Sequence, residues 1–120
     1  MGLAKTRDDE ERIIDPQGER EEPCTSVFVF IGAAPRTEWL DGAVARDQRG
    51  FILSGADLKS PQAPHPRWPL TREPLLLETS LPGVFVAGDA RSQSIKRVAS
   101  AVGEGAMAVQ FVHQYLGQLP

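Results

Sequence analysis

The sequence predicts an α/β fold of mostly buried strands followed by one long C-terminal helix. Residues 27–31 (VFVFI) are β-branched or aromatic without interruption, which is typical of a strand buried on both faces of a parallel sheet. Residues 84–87 (VFVA) form a second such strand and lead into Gly88 and Asp89. Beyond them, apolar residues spaced by threes and fours predict an amphipathic helix of about six turns. They are Ile95, Val98, Ala99, Val102, Ala106, Val109, Val112 and Leu116.

The middle of the chain holds shorter or irregular elements. Residues 50–53 (GFIL) are a candidate for a short strand. Residues 60–74 carry five of the ten prolines, and proline interrupts both helices and ladders, so regular structure is excluded there. We expect an ordered surface loop over these residues, with Trp68 and Leu70 as its anchors.

Residues 1–22 form a polar, charge-dense segment that precedes the main domain at residues 23–120. A turn at residues 15–18 (DPQG) between two extended pieces would make this segment a hairpin, whereas its charge density fits a frayed tail. We favour the hairpin, because proline and glycine at these positions are typical of a tight turn.

Composition and charge exclude several classes of function. The chain has 16 acidic and 13 basic residues, so it offers no basic face for nucleic acid. No apolar run approaches the roughly 20 residues that cross a bilayer, and the N-terminus lacks a signal-peptide core. We therefore expect a cytoplasmic protein without a membrane partner. Because Cys24 is the single cysteine, an intrachain disulfide is excluded. His65 and His113 lack the spacing of metal ligands.

The junction between residues 84–87 and the long helix is the predicted site. The N–H groups of a helix's first turn lack intrahelical partners, and the peptide dipoles make this end positive, so it attracts electron-rich ligands. Asp89 follows the strand with a carboxylate that can accept hydrogen bonds from hydroxyls. Gly88 allows a ligand to approach the backbone closely.

The start of the helix has an unusual charge pattern. Ser94 is the expected N-cap, with Ser92 as the alternative. Lys96 and Arg97 then fall in the first turn, where cations oppose the helix dipole. A nearby anion would make these two cations favourable.

Two glycines interrupt the helical pattern. Gly103 and Gly105 each cost about 1 kcal/mol relative to alanine, which predicts close packing against a sheet or ligand, or alternatively an exposed kink. Glu104 lies between them. Its position would allow it to approach a ligand, but we favour its assignment to a solvated helix face.

The motifs GVFVAGD at residues 83–89 and VFVFIGAAP at residues 27–35 together resemble the paired C-terminal signatures of flavin-dependent pyridine nucleotide-disulfide oxidoreductases. Within this family the chain is most similar to small thioredoxin reductases and to thioredoxin-reductase-like proteins, some of which are fused to a cyclic-nucleotide-binding domain. Three motifs carry the closer resemblance, namely WPL at 68–70, LLETS at 76–80 and KRVASAVGEG at 96–105.

The resemblance implies the C-terminal half of a Rossmann-like FAD-binding domain. It implies that Asp89, beside Gly88, hydrogen-bonds the ribityl chain of FAD. The helix start would meet the pyrimidine edge of the flavin ring and stabilise the negative charge of the reduced form. The residues implied there are Lys96, Arg97, Val98 and Ala99. Because thioredoxin reductases have Arg-Gln-Ala where this chain has Lys-Arg-Val, we expect the backbone contacts to persist and the side-chain contacts to differ.

The same resemblance implies parts that this sequence lacks. It contains neither a Gly-x-Gly-x-x-Gly motif nor a redox-active cysteine pair, so NADPH and the adenosine and pyrophosphate of FAD would bind outside it. We expect the chain to contact only the flavin and ribityl end of FAD and not to catalyse alone. In this family, residues 1–22 would correspond to the end of a hairpin of the NADPH domain, with the turn at residues 18–21 (GERE).

Two expectations concern partners and an alternative function. Strands at 27–31 and 84–87 would have unpaired edges, which pair readily with other chains, so we expect a homo-oligomer or a complementing N-terminal half. The alternative function is a stand-alone α/β interaction module that self-associates and has lost cofactor binding. Only a flavin-contacting part of an oxidoreductase, and not such a module, predicts the absorbance of a bound flavin.

Overall fold

The computed structural model describes residues 2–6, 10–23, 25–26, 32–61 and 68–120. The chain divides into two compact units, residues 1–32 and residues 33–120. The second unit contains the long helix and the junction at which the sequence predicts a site.

The first unit is a three-stranded antiparallel sheet in the order β1-β2-β3. Its strands are β1, Gly2–Thr6, then β2, Glu10–Asp15, and β3, Gly18–Pro23. Asp15 pairs with Gly18 across the connection of β2 and β3, so residues 15–18 form a tight turn between two strands. The turn implied at residues 18–21 is wrong, because these residues lie within β3.

The core of the second unit contains, among the described residues, two small apolar clusters, one of Ala45, Leu53 and Leu58 and one of Val44, Ile52 and Val86. In the described part of this unit, three short 3-10 turns, Glu38–Leu40, Gly55–Lys59 and Gly88–Ala90, connect the segments. The buried apolar side chains are Val44, Ala45, Phe51, Ile52, Leu53, Leu58, Leu77 and Val86. Trp68 packs against this core and anchors the proline-rich loop as predicted. Leu70 is 43% exposed, so the prediction that it is a second anchor is wrong.

Extended segments take the place of the strands predicted in this unit. Residues 50–53 and 84–87 make isolated bridges, at Ile52 and Phe85 respectively, and no described residue of this unit belongs to a longer ladder. The prediction of regular strands there is therefore wrong. A ladder needs consecutive bridges along a neighbouring strand, whereas the bridges of Ile52 to Arg46 and Arg91 and of Phe85 to Glu78 are isolated ones.

One long helix, α1, spans Val98–Gly117. Its 20 residues correspond to a length of about 30 Å. The prediction of a long C-terminal helix is confirmed, although the helix begins at Val98 and not at Ile95. A Cβ atom at Gly103 or Gly105 would meet no heavy atom within 4 Å, so the predicted close packing of these glycines is not found among the described residues.

The apolar residues of α1 divide between two sides of the helix. One side contacts the rest of the unit through partly buried residues, including Ala101, Glu104, Ala108, Phe111 and Tyr115. The other side is exposed, and we call it the α1 stripe. It consists of Val98, Val102, Val109, Val112 and Leu116, with exposed fractions between 38% and 81%. Contiguous exposed apolar surface of this kind is typical of an interaction site.

The buried strand predicted at residues 27–31 lies outside the described residues, and so do Cys24 and His65. Among the helices that the structure describes, none combines the length and the apolar character that a bilayer crossing requires.

Candidate functional site

The backbone turns sharply where the sequence predicts a site. Gly88–Ala90 forms a 3-10 turn directly after Ala87, whose backbone is extended. Gly88 is buried and has a φ of +79°, a left-handed conformation that favours glycine. A Cβ atom at Gly88 would lie 3.4 Å from that of Ala101, so the turn packs against the first turns of α1. Asp89, next to this glycine, is exposed.

Glu104 of α1 holds one end of this turn. Its Oε2 atom accepts hydrogen bonds from the N–H of Gly88 at 2.7 Å and from Nε of Arg91 at 3.1 Å. A second guanidinium nitrogen of Arg91 donates to Oε1. The hydrogen bond from Arg91 lowers the pKa of Glu104 against the opposing effect of burial, and the N–H of Gly88 lowers it further. The assignment of Glu104 to a solvated helix face is therefore wrong, because its charge is used within the fold.

Lys96 holds the other end of the turn. Its ammonium group donates to the carbonyl oxygens of Asp89 at 2.8 Å and Arg91 at 3.1 Å, and to the hydroxyl of Ser94 at 2.6 Å. The same nitrogen lies 4.1 Å from the ring centroid of Phe51, which is a cation–π distance. Carbonyl dipoles of the loop thus balance the charge of Lys96.

The rest of the loop is tied to the core. The N–H of Ile52 donates to the carbonyl of Ala90 at 2.9 Å, and the N–H of Ser92 donates to the carbonyl of Ile52 at 2.8 Å. The hydroxyl of Ser92, which is buried, donates to Asp47 at 2.7 Å. Hydrogen bonds to neighbouring elements therefore fix the loop on both sides of Arg91.

The carboxylate of Asp89 is the polar group that these contacts leave unused. With the residues that the structure describes, its side chain forms no hydrogen bond or ion pair. A carboxylate has about four acceptor positions. The turn therefore presents a free acceptor on a backbone that is held in place.

The helix α1 begins later than the sequence predicts. Arg97 occupies the N-cap position with an extended backbone, and no side chain in the described part of the chain caps the helix. The prediction of Ser94 or Ser92 as N-cap is wrong, because the loop, which contains Gln93 at a φ of +58°, continues as far as Arg97. Lys96 and Arg97 therefore precede the first turn instead of lying within it.

The start of α1 is exposed and electropositive. Val98 is 81% exposed, and Arg97 and Ala99 are exposed as well. The first turn contains no acidic residue. Because its N–H groups lack intrahelical partners, this end of the helix can receive an electron-rich ligand edge.

Comparisons with known proteins identify relatives over most of the chain. The F subunit of the alkyl hydroperoxide reductase of Pseudomonas aeruginosa is 40% identical over 82 residues, which are 68% of this chain and 12% of that protein. Thioredoxin reductase of Treponema pallidum is 31% identical over 100 residues, which are 83% of this chain and 26% of that protein. No family model matches the chain.

The similarity extends to a solved structure. Thioredoxin reductase of Streptococcus pyogenes matches with a TM-score of 0.65 and 22% identity, over 98% of this chain and 35% of that chain. The chain is a partial thioredoxin-reductase-like domain. This confirms the resemblance to the pyridine nucleotide-disulfide oxidoreductases, with the chain spanning between 12% and 35% of the relatives named above.

A second carboxylate of this thioredoxin-reductase-like domain is paired in the interior. Glu78 is completely buried, and Arg72 donates to both of its carboxylate oxygens at 2.7 and 2.8 Å. The N–H groups of Leu75 and Gly83 each donate to Glu78 at 2.9 Å. Burial acts to raise the pKa of Glu78, but these hydrogen bonds outweigh it and lower the pKa.

Sequence reasoning missed both arginine–glutamate pairs of the thioredoxin-reductase-like domain. Glu78 directly follows three leucines at residues 75–77, and an acidic residue in such an apolar setting is a usable signal for a buried, paired carboxylate. The pair of Arg91 and Glu104 left no comparable signal, because it joins a loop to a helix across 13 residues. Among the described residues, no group of three or more His, Cys, Asp and Glu side chains is placed to hold a metal ion.

Proposed function

We propose that this chain supplies the flavin-contacting part of an FAD-dependent, NAD(P)H-linked thioredoxin-reductase-like oxidoreductase. One observation carries the proposal. Glu104 and Lys96 hold the turn at Gly88–Ala90, while the carboxylate of Asp89 has no partner among the described residues. An acceptor fixed in advance suits a ligand rich in hydroxyl groups, and the ribityl chain of FAD is such a ligand.

The start of α1 fits the flavin end of the same cofactor. An uncapped helix N-terminus without acidic residues in its first turn favours negative charge, which a reduced flavin carries at its pyrimidine edge. Val98 and Ala99 would offer backbone N–H groups there, beside the cation of Arg97. Lys96 would act by holding the loop, because its ammonium group bonds to loop carbonyls.

FAD, when bound, supplies the hydride and electron transfer chemistry. This chain's residues would bind and orient it, with Asp89 accepting hydroxyl hydrogen bonds and the helix start favouring the reduced, anionic form. The sequence has one cysteine and no Gly-x-Gly-x-x-Gly motif. We therefore propose that NADPH binding and the redox-active groups come from residues beyond those of this chain, and that the assembled protein acts in the cytoplasm.

We also propose that the α1 stripe docks against the remaining part of the flavin domain. The chain matches 35% of the Streptococcus pyogenes structure, so most of that fold has no counterpart in this sequence. The stripe runs along a helix of about 30 Å, and its residues are exposed within this chain. A complementing part of the fold would remove this apolar surface from water.

Co-expression with a shortened relative tests the flavin proposal. The partner is the Treponema pallidum thioredoxin reductase from which the segment matching this chain has been deleted, and we call the product the complemented complex. We expect this complex to purify with FAD, seen by its visible absorbance. Asp89→Asn should weaken FAD binding about tenfold or more, because a hydrogen bond to a charged group contributes about 1.5–3 kcal/mol.

Asp41→Asn provides a matched control, because Asp41 is also an exposed aspartate next to a 3-10 turn. FAD affinity should not change in this variant. A colourless complex, or equal FAD affinity in the Asp89 and Asp41 variants, would contradict the flavin proposal.

Charge placed on the stripe tests the docking proposal. Val102→Asp and Val109→Asp should each prevent co-purification of the two parts, because burial of an unpaired carboxylate is strongly unfavourable. Gln114→Asp adds the same charge at an exposed position outside the stripe and should leave co-purification intact. Co-purification of the Val109→Asp variant in normal yield would contradict the docking proposal.

The α1 stripe also favours a second candidate function, that of a stand-alone interaction module that self-associates without a cofactor. In that case the chain alone should sediment as a defined oligomer, and Val109→Asp should convert it to a monomer. Neither FAD nor the shortened relative should then bind.

A further inference from the structure

We propose that Glu104 is a positioning residue that presents the carboxylate of Asp89 to the cofactor. This inference rests on the proposed function of Asp89. Glu104 lies on α1, 16 residues after Gly88, yet its carboxylate binds the Gly88 N–H at 2.7 Å. One side chain therefore links the helix to the turn that carries Asp89.

The contact of Glu104 with Gly88 fixes a group that has no other partner among the described residues. Gly88 is buried, and the extended segment before it ends at Ala87, so its N–H lies beyond any strand ladder of the described chain. Without the carboxylate, this buried donor would be unsatisfied, and the turn would have to shift to hydrate it. Arg91 keeps the carboxylate in place through two guanidinium nitrogens.

Lys96 completes the restraint from the opposite end. Glu104 holds the N–H of Gly88, and Lys96 holds the carbonyl of Asp89 at 2.8 Å. The two-residue segment is thus bracketed by one anion and one cation. A side chain that leaves such a segment has fewer orientations, which is what a binding group needs for a defined ligand geometry.

A double-mutant cycle in the complemented complex tests this role. Glu104→Gln keeps the side-chain shape but removes the charge, and we expect FAD affinity to fall about fivefold to tenfold and the visible circular dichroism of the flavin to change. In the Asp89→Asn background, Glu104→Gln should lower FAD affinity by less than about twofold, because the group that it positions is already lost. If the two losses multiply, or if Glu104→Gln has no effect, the positioning role is overturned.

Two further variants separate positioning from general stability. Glu78→Gln disrupts the other arginine–glutamate pair and should lower the unfolding midpoint without changing FAD affinity of the folded complex. Lys96→Met decides the question if Glu104→Gln does not fold, because Lys96 is exposed and should show the same non-additivity with Asp89→Asn. Multiplying losses for Lys96→Met would overturn the inference as well. If the unmodified complex binds no FAD, the proposed function itself fails.

Discussion

Two arginine–glutamate pairs of the second unit use the same chemistry in different places. In each pair the glutamate accepts hydrogen bonds from a guanidinium group and from the N–H of a glycine with positive φ. Glu78 holds Gly83 at a φ of +82°, and Glu104 holds Gly88 at a φ of +79°. Both carboxylates are thereby kept ionised and both fix a turn.

The pairs differ in burial and in what the turn carries. Glu78 is completely buried and pairs with Arg72 six residues away, whereas the side chain of Glu104 is 13% exposed and pairs across 13 residues. The first pair closes a local segment in the interior. The second joins a helix to the loop of the proposed site. One polar motif thus closes an interior segment in one location and, as we propose, presents a functional group in another.

Removal of Glu78 should have the largest effect on stability. Glu78→Ala leaves the guanidinium of Arg72 and two backbone N–H groups without their acceptor, and loss of one partner from a buried pair costs about 3–5 kcal/mol. The free energy of unfolding, measured by urea denaturation, should fall by this amount. Glu73→Ala is the matched control, because Glu73 is exposed and its ion pair with Lys59 lies at the surface. The control should lose less than about 1 kcal/mol, and equal losses in the two variants would refute the prediction.

The two glycines allow a second comparison of the pairs. A Cβ atom at Gly83 would lie 2.6 Å from the ring of Tyr115, whereas a Cβ atom at Gly88 would lie 3.4 Å from Ala101. Both substitutions impose a left-handed conformation, which costs about 1–2 kcal/mol for a residue with a Cβ atom. Gly83→Ala should add about 1–2 kcal/mol of steric overlap. Thermal unfolding should therefore show a larger loss for Gly83→Ala, and Tyr115→Leu in the same chain should remove the excess.

Acid should weaken both pairs. The folded-state pKa of each glutamate lies below its ordinary value of 4.5. The stabilisation from each group is therefore complete above about pH 4.5 and is lost as the pH falls through the folded pKa. In urea titrations between about pH 7 and 3, Glu78→Gln and Glu104→Gln should each flatten the acid limb, because each removes a carboxylate whose pKa is lower in the folded chain than in the unfolded chain. An acid limb unchanged in Glu78→Gln would disprove this assignment.

The helix and the position of the turn follow from local sequence patterns, and the contacts that shape the site do not. Apolar spacing predicts α1 over most of its length, because helical periodicity is a property of neighbouring residues. The predicted N-cap at Ser94 is wrong, because the loop, which Lys96 holds through carbonyl groups five and seven residues before it, continues as far as Arg97. The sequence alone assigns Glu104 to a solvated helix face, because its partners Gly88 and Arg91 lie 16 and 13 residues away.

The regular strands predicted at residues 50–53 and 84–87 illustrate a further limit. Their composition fits a buried sheet, and a sheet forms only where neighbouring strands pair along their length. The described residues of this chain supply isolated bridges instead. The apolar character of these segments can be predicted from the sequence, but the residues that lie beside them cannot.

We expect the smallest effect at two glycines of α1 that belong to neither arginine–glutamate pair. Gly103→Ala and Gly105→Ala should each raise the stability of the chain alone by about 0.5–1 kcal/mol, because both sites have open space and alanine is the better helix former. Gly105 lies three residues after Val102 and four before Val109, so it shares the side of the α1 stripe. Gly103 lies away from it.

The two glycine variants should therefore diverge once the complement is bound. If the stripe is covered by the rest of the flavin domain, the added methyl group of Gly105→Ala must fit into a packed interface, and overpacking costs about 1–3 kcal/mol. Gly103→Ala should keep its gain in the complemented complex, while Gly105→Ala should lose it and weaken co-purification. Equal behaviour of the two variants in the complex would mean that the docking surface does not include the stripe.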